Sequence, residues 1–324
     1  MKYKNYKKFI VTTTINIPTE AIYKYLSFQD WFFVIVGDLK TPHNLYKKLE
    51  KKYKNLKYLS PEYQNKKYNK LSKLLGWNNI QRRNLGFIEA YVHGAEIIAT
   101  VDDDNIPYKF WGKNIYINKE ILVDYYNSDS IVADPLSITD YNYLWHRGFP
   151  IQLLPQKNKI KYLGKKKIKV LVQADLWNGN PDIDAIARIA FDNPIVKFKS
   201  IKEPFAFNRI SPFNSQNTFL SREVIPYYCC LPFVGRMDDI WGSYILQHYF
   251  SNCIIYNFPS VYQKRNLHNF INDLEKEIIG YKFSLELINN IINNNLKLIF
   301  QKILPPSTFY FYKEYTKFFK KYVR

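Results

Sequence analysis

Ile97-Ile-Ala-Thr-Val-Asp-Asp-Asp-Asn105 is the stretch on which the fold turns. A short apolar run rich in β-branched residues enters three successive carboxylates, the pattern of a buried strand that ends in an acidic mouth. Just before it, residues 81–92 place Leu85, Ile88 and Val92 at helical spacing, and Gly94 stands where a helix would stop. Further upstream, Trp31-Phe-Phe-Val-Ile-Val-Gly-Asp38 is continuously apolar, as expected of a strand buried on both faces. Residues 9–15 form another β-branched run closed by Pro18, residues 19–26 have helical spacing, and residues 55–59 read as a short third strand. Strand alternating with helix in this order predicts a parallel sheet with helices packed on it. Such sheets collect ligands at the carboxyl ends of their strands, where Asp38 and Asp102 both fall.

The second half is less regular. A strand is predicted over 170–174, a helix over 182–191 opened by Asn180-Pro181, and a helix over 239–250. Residues 193–217 read as one long loop. Beyond Phe270 the sequence turns helical and amphipathic, then Lys- and aromatic-rich after Pro305-Pro306. The expectation is one catalytic domain over residues 1–275 with a helical extension over 276–324.

With 324 residues and 47% apolar content, the chain can bury a substantial core. The apolar stretch after the Lys- and Tyr-rich start is too short and too polar for a signal peptide or a membrane span, and no later window qualifies, so the chain reads as soluble. Three cysteines, two of them adjacent, supply no paired framework and no zinc spacing, which fits a reducing compartment. The formal charge of +19 permits attraction to nucleic acid, anionic membrane or a phosphate-bearing substrate without choosing among them; scattered lysines read first as a solvated surface.

The carboxylates carry the chemistry. In an extended segment, Asp102 and Asp104 point to one side and Asp103 to the other. Like charges at the mouth of a buried strand repel unless a cation lies between them, and hard oxygen ligands suit Mn²⁺ or Mg²⁺ completed by water and phosphate. Arg83 opens the helix before this strand, where a cation opposes the helix dipole, and it points to an anionic partner such as a diphosphate. In Trp177-Asn-Gly-Asn-Pro-Asp-Ile-Asp184, Trp177 is a candidate for stacking on a sugar, and Asp184 is either a helix cap or a sugar-binding group. Arg236-Met-Asp-Asp-Ile-Trp puts Asp238 and Asp239 at another helix start, one as cap and the other able to orient a hydroxyl nucleophile. His268 sits in a polar loop and, on chemistry alone, reads more readily as structural than as a ligand.

In order along the chain, Val11-Thr-Thr-Thr-Ile-Asn-Ile-Pro-Thr, Val36-Gly-Asp-Leu-Lys-Thr-Pro, Arg83-Asn-Leu-Gly-Phe, Thr100-Val-Asp-Asp-Asp-Asn, His146-Arg-Gly-Phe-Pro, Pro181-Asp-Ile-Asp-Ala, Pro212-Phe-Asn-Ser-Gln-Asn-Thr and Arg236-Met-Asp-Asp-Ile-Trp resemble the STELLO family of glycosyltransferase-like proteins. They resemble more distantly the reversibly glycosylated polypeptides that act as UDP-arabinopyranose mutases. The resemblance implies a GT-A fold, an α/β Rossmann-like mixed and mostly parallel sheet flanked by helices. It places Thr13 and Asp38 near a uridine and Arg83 near the diphosphate or base. Asp104 would then ligate the metal, Asp102 would support metal or ribose, Asp103 would join the nucleotide site, and His268 would be a further metal ligand. Asp239, Asp184 and Asp238 would serve the sugar and acceptor.

The Lys/Asn/Ile/Tyr-biased composition resembles that of large DNA viruses of amoebae, and the general character resembles their collagen galactosylhydroxylysyl glucosyltransferases. That implies UDP-glucose as donor, a glycosylated hydroxylysine acceptor, retention of configuration, and a place in the host cytoplasm or viral factory. A mutase without acceptor, and a non-catalytic polyanion-binding scaffold, are the competing readings. Aromatic residues make up 18% of the chain, and those at 141–145 and 198–207 lie in loop-like segments, which predicts a homodimer. The expected partners are therefore a UDP-sugar, its acceptor and a second copy, rather than nucleic acid or a membrane.

Overall fold

The computed structural model describes residues 3, 5–265 and 269–322. Its first part runs β1 (Lys8–Thr14), α1 (Glu20–Leu26), β2 (Trp31–Gly37), α2 (His43–Lys52), β3 (Leu56–Leu59), α3 (Pro61–Lys67), α4 (Asn69–Leu75), α5 (Arg83–Val92) and β4 (Ile97–Val101); the strands, α1 and α5 match the expected alternation, and α2, α3 and α4 are additional helices. Parallel pairing joins β3 to β2, β2 to β1 and β1 to β4. All of β2 is buried, as its unbroken apolar run requires of a strand covered on both faces.

Later strands extend this sheet: β5 (Asn105–Pro107), β6 (Glu120–Ser128), β7 (Ile160–Lys169), β8 (Val172–Gly179), β9 (Phe205–Phe207), β10 (Asn217–Ser221) and β11 (Ile254–Gln263). The order is β3-β2-β1-β4-β10-β8-β11-β9-β6-β7, with β5 pairing β11 off the path. Strands β1, β2, β3, β4, β7, β8 and β11 run one way and β5, β6, β9 and β10 the other, so the sheet is mixed and mostly parallel. The helices α6 (Ala185–Ala190), α7 (Asp238–Tyr249), α8 (Phe270–Ile292), α9 (Leu296–Leu298) and α10 (Pro306–Lys320) complete the α/β fold with a helical C-terminal part.

Several boundaries depart from the sequence reading. The helix expected from 81 starts as a short 3-10 turn, Ile80–Arg82, because the Arg82 side chain is tied back to Gln64 and Ser72. The helix expected from 182 begins at Ala185, since Asp184 spends its side chain as the cap. The loop expected over 193–217 contains β9 and meets β10. The expected boundary at 275/276 falls inside α8, a helix that packs on α6 and α7 and supplies Glu277 to Arg236 at 2.7 Å.

Helix α5 lies close on the sheet because residue 86 is glycine. A Cβ there would stand 2.5 Å from Val11 Cγ1 and 2.9 Å from Val36 Cγ2. That contact fixes the start of α5, and so Arg83, against the ends of β1, β2 and β4.

Candidate active site

Parallel pairing brings the carboxyl ends of β1, β2 and β4 to one edge. Thr12 locks two of them, its hydroxyl donating to the Val101 carbonyl at 2.7 Å. The acidic run then divides as its alternation predicts. Asp103 lines a cavity of about 380 Å³ together with Thr13, Gly37, Asp38, Ile80 and Arg82. Asp102 and Asp104 line a second cavity of about 190 Å³ that shares Ile80 as a wall.

In the larger cavity Asp103 accepts hydrogen bonds from Thr14 Oγ1 and, at 3.0 Å, from Asn16 Nδ2. Thr19 caps α1 and donates its hydroxyl to the Asp103 carbonyl, so the helix start and the acidic run are held as one piece. Asp38 accepts from three backbone N–H groups, those of Leu39 at 2.6 Å, Asn78 at 2.9 Å and Asn79 at 3.1 Å. Its carboxylate thus shapes the wall by anchoring the 78–79 loop. Arg82 stacks over Trp77 with its guanidinium carbon 3.4 Å from the ring centre, and burial pushes its pKa down to about 10.

The smaller cavity is a cage of opposed charges: Asp102, Asp104, Asp238 and Asp239 against Arg147, Arg236 and Arg265. Burial, reinforced by Asp102 and Asp103, raises the Asp104 carboxyl to about 7, and its Oδ1 is buried without a hydrogen-bond partner. Asp238, which accepts from Gln81 Nε2 at 2.8 Å, is likewise raised to about 7 by burial and then by Asp239. Asp239 accepts at Oδ2 from the Ser215 N–H at 2.8 Å and the Ser215 hydroxyl at 2.9 Å. Its Oδ1 lies 3.1 Å from Arg147 Nη2, an ion pair without hydrogen-bond alignment. Behind it, Arg147 grips Asp182 at 2.9 and 3.0 Å and, against the effect of burial, holds that carboxyl well below the usual range. Arg265 lies 3.6 Å from Asp182, with its Nε unpartnered.

The predicted residues are sorted accordingly. Thr13 and Asp38 line the larger cavity with Asp103, and Asp102, Asp104, Asp238 and Asp239 line the smaller one. Arg83 lines neither: it is 1% exposed and bonds Asp102 and, at 2.6 Å, the Ser215 hydroxyl, so it braces a carboxylate instead of facing a diphosphate. Asp184 is the N-cap of α6, accepting from the Ala187 N–H at 2.8 Å and from Trp145 Nε1 at 2.6 Å, with both oxygens used. Trp177 is buried, edge-on to His146 with ring centres 5.7 Å apart, and is closed to a sugar ring. His268 lies outside the described residues. The aromatic segments behind the dimer expectation are largely internal, since Trp145, Phe198, Phe205 and Phe207 are buried and Tyr143 is exposed.

Arg147, Asp182, Ser215 and Arg265 were missed by sequence reasoning. Arg147, Asp182 and Ser215 stand inside motifs already singled out and Arg265 in the polar stretch that carries His268, and within Pro181-Asp-Ile-Asp-Ala the carboxylate nearer the cavity is Asp182, not Asp184.

Among the described residues no cluster of three or more His, Cys, Asp and Glu side chains forms a complete metal-ligand set. Asp102 and Asp104 nevertheless suit a hard cation of the Mn²⁺ or Mg²⁺ type, which takes one or two carboxylates and completes its shell with water and phosphate oxygens. The unpartnered buried oxygen of Asp104 is the observation that favours this fit.

The fold and site together define an α/β protein with a two-chambered, charge-caged cleft at the carboxyl edge of its sheet. Among known proteins, the chain is 23% identical over 235 residues to "Probable glycosyltransferase STELLO2" of Arabidopsis thaliana, 65% of this chain and 29% of that protein. It is 24% identical over 200 residues to "Probable glycosyltransferase STELLO1" of the same plant, 57% of this chain and 25% of that one. The chain thus spans less than a third of the length of the curated relatives it matches. No protein-family model matches it. Among solved structures, glucosyl-3-phosphoglycerate synthase from Mycobacterium tuberculosis aligns over 90% of this chain and 82% of its own, at 10% identity and a TM-score of 0.44. Nothing in these matches supports the viral collagen transferase. No helix among the described residues is long and apolar enough to cross a membrane.

Proposed function

We propose that the chain is a GT-A-type glycosyltransferase that moves a sugar from a nucleoside diphosphate to an acceptor hydroxyl, with UDP-glucose the first donor to try. The description of its relatives as probable glycosyltransferases supports this reading. The observation that carries it is the division of one acidic run between two adjoining cavities, with an unpartnered carboxylate oxygen in the smaller.

In this reading the larger cavity takes the nucleoside, against Thr13, Asp38 and Asp103. The smaller takes the diphosphate and sugar. A divalent cation on Asp102 and Asp104 would offset the charge of the departing diphosphate. Arg265, with Nε unpaired, donates to a phosphate oxygen from the opposite wall. Arg83 orients Asp102 through its guanidinium. Ser215 and Arg147 fix Asp239, leaving its Oδ1 without an aligned donor and available to a sugar or acceptor hydroxyl. Preorganised charge of this kind acts most strongly where water is excluded. Retention, and galactosyl-hydroxylysine as acceptor, are carried by the sequence resemblance and are read out by product analysis.

The test is a screen of UDP-sugars with Mn²⁺, reading released UDP. Turnover with one donor and a new glycosidic bond in the product are expected. Failure of every donor to bind or turn over would sink the proposal, and conversion of UDP-arabinopyranose to its furanose form would replace it with the mutase.

A further inference from the structure

A further cavity opens away from the charged cage, with a volume of about 370 Å³ beside the 380 Å³ of the larger active-site cavity. Its walls come from the loop after β9, the end of α7, the start of β11 and the end of α8. Helix α7 begins with Asp238 and Asp239 in the cage and ends with Gln247 and His248 here. Strand β11 begins with Ile254 here and ends with Gln263 in the cage, about 30 Å away along the strand. The two cavities thus lie at opposite ends of the same elements.

The chemistry of this cavity is one-sided. Arg209, His248 and Cys253 are the titratable side chains of its lining, and no carboxylate is among them. Burial raises the Cys253 thiol to about 12, so it stays neutral. Arg209 is exposed at the mouth, where its Nε donates to the Ser128 carbonyl at 3.1 Å and fixes the direction of the guanidinium. Among the described arginines it alone has neither Nη group bonded to the protein. Every other one spends at least one Nη on a carbonyl, a hydroxyl or a carboxylate. Nearby acceptors are already in use: Gln247 Oε1 takes the Ser211 N–H at 3.0 Å, Asn208 Oδ1 the Ser128 N–H at 3.4 Å and Asn252 Oδ1 the Tyr125 hydroxyl at 3.4 Å. The partial negative charge where α7 and α8 end is answered by the cap N–H groups of Phe250 and Asn293 and by His248 on the Ile291 carbonyl. What remains unanswered is the full charge of the Arg209 fork.

The rest of the cavity is apolar and firmly framed. Phe207, Ile254 and Ile291 supply buried hydrocarbon wall. Gln247 also donates to the Ser211 carbonyl at 2.9 Å, and the Tyr256 hydroxyl donates to Ser211 Oγ at 2.7 Å. Just past the two helix ends, Asn252 and Asn294 turn the chain with φ 51° and 57°, left-handed values that few residues other than glycine adopt.

We infer that this cavity binds a small organic anion, a carboxylate or phosphate on an apolar body, with the anionic oxygens on the Arg209 fork and the body against Phe207, Ile254 and Ile291. A guanidinium meets either group through two parallel N–H bonds. Apolar walls with a few placed polar anchors, in a space of several hundred cubic ångströms, are the usual form of a small-molecule site.

The experiment titrates the isotope-labelled full chain, without nucleotide or metal, and follows backbone amides by NMR. Benzoate and phenyl phosphate are the probes, with acetate and inorganic phosphate as bare anions and benzyl alcohol as an uncharged body. At least one aromatic anion should shift the Ser251, Asn252 and Asn294 amides saturably, and the tighter of the two identifies the preferred anionic group. The bare anions and benzyl alcohol should bind more weakly. Arg209→Gln, an exposed change outside the cage, should weaken binding about tenfold or more, the scale of a hydrogen bond to a charged group. The assignment is overturned by the absence of shifts at these amides, by shifts confined to the cage around Ser215, or by equal binding of benzyl alcohol, of the bare anions or to Arg209→Gln. Because neither donor nor metal is present, this titration and the donor screen succeed or fail separately.

Discussion

Asp104 and Asp239 divide the work that a carboxylate can do in the cage. Asp104 has a buried oxygen without a donor, so Asp104→Ala should remove metal-assisted UDP binding and lower turnover by about a hundredfold or more. Calorimetry with Mn²⁺ and UDP checks the first and steady-state rates the second. Asp239→Asn keeps the size and the hydrogen-bond acceptor for Ser215 while removing the charge. It should fold normally and lose turnover; full activity would return Asp239 to a helix-start role. Asp238 predicts a pH dependence. Its pKa is raised to about 7, so the folded chain holds a proton that the unfolded chain releases near pH 4, and the resulting stability is present at low pH and lost as pH rises toward about 7. Asp182 acts at the acid end, since its lowered pKa gives stability that is lost only on acidification. Between about pH 4 and 7, then, the melting temperature of wild type should fall relative to Asp238→Asn, by scanning calorimetry. Sequence pattern picked out carboxylates that line the two cavities but misjudged the members whose partners come from afar. Asp184 and Asp182 look alike on paper, and only the long-range partner Arg147 separates the one that backs the cage from the one that caps a helix.

Element by element, the strands of the first hundred residues and the helices α1 and α5 were legible because their signals are local and coherent, whereas the Lys-rich helices α2, α3 and α4 were not. Continuous apolar strands and amphipathic helices alternate there with few competing cues. The hairpin of β6 and β7 was not seen. Strand β7 is an exposed edge in which Lys161, Lys165, Lys166, Lys167 and Lys169 take the places that apolar alternation would fill, the composition by which edges resist further pairing. Helix α5 gives the sharpest prediction at this scale. Gly86→Ala gains about 1 kcal/mol of helix propensity, but its Cβ would collide with Val11 and Val36 inside the sheet, an overpacking cost of about 1–3 kcal/mol. We expect a net loss of stability, read as a lower urea midpoint at unchanged slope. Gly179, at φ 90°, makes a comparable approach where β8 passes β11: a Cβ there would lie 2.3 Å from the Gln263 carbonyl oxygen, two residues before Arg265.

At the scale of the whole molecule, the C-terminal helices are part of the body that holds the cage. Glu277 of α8 bonds Arg236 at 2.7 Å and the Ala185 N–H at 2.8 Å, joining the cavity wall to the start of α6. A chain ending at residue 275 should therefore lose cooperative unfolding and UDP binding together, as followed by calorimetry. The division of the cleft has one more consequence. The partition made by Ile80 and the Asp102–Asp104 run turns the site into a gauge of ligand length. On the proposed reading uridine occupies the first compartment away from Asp104, so its affinity should be indifferent to Mn²⁺. UDP would cross the partition, and only its affinity should rise with the metal.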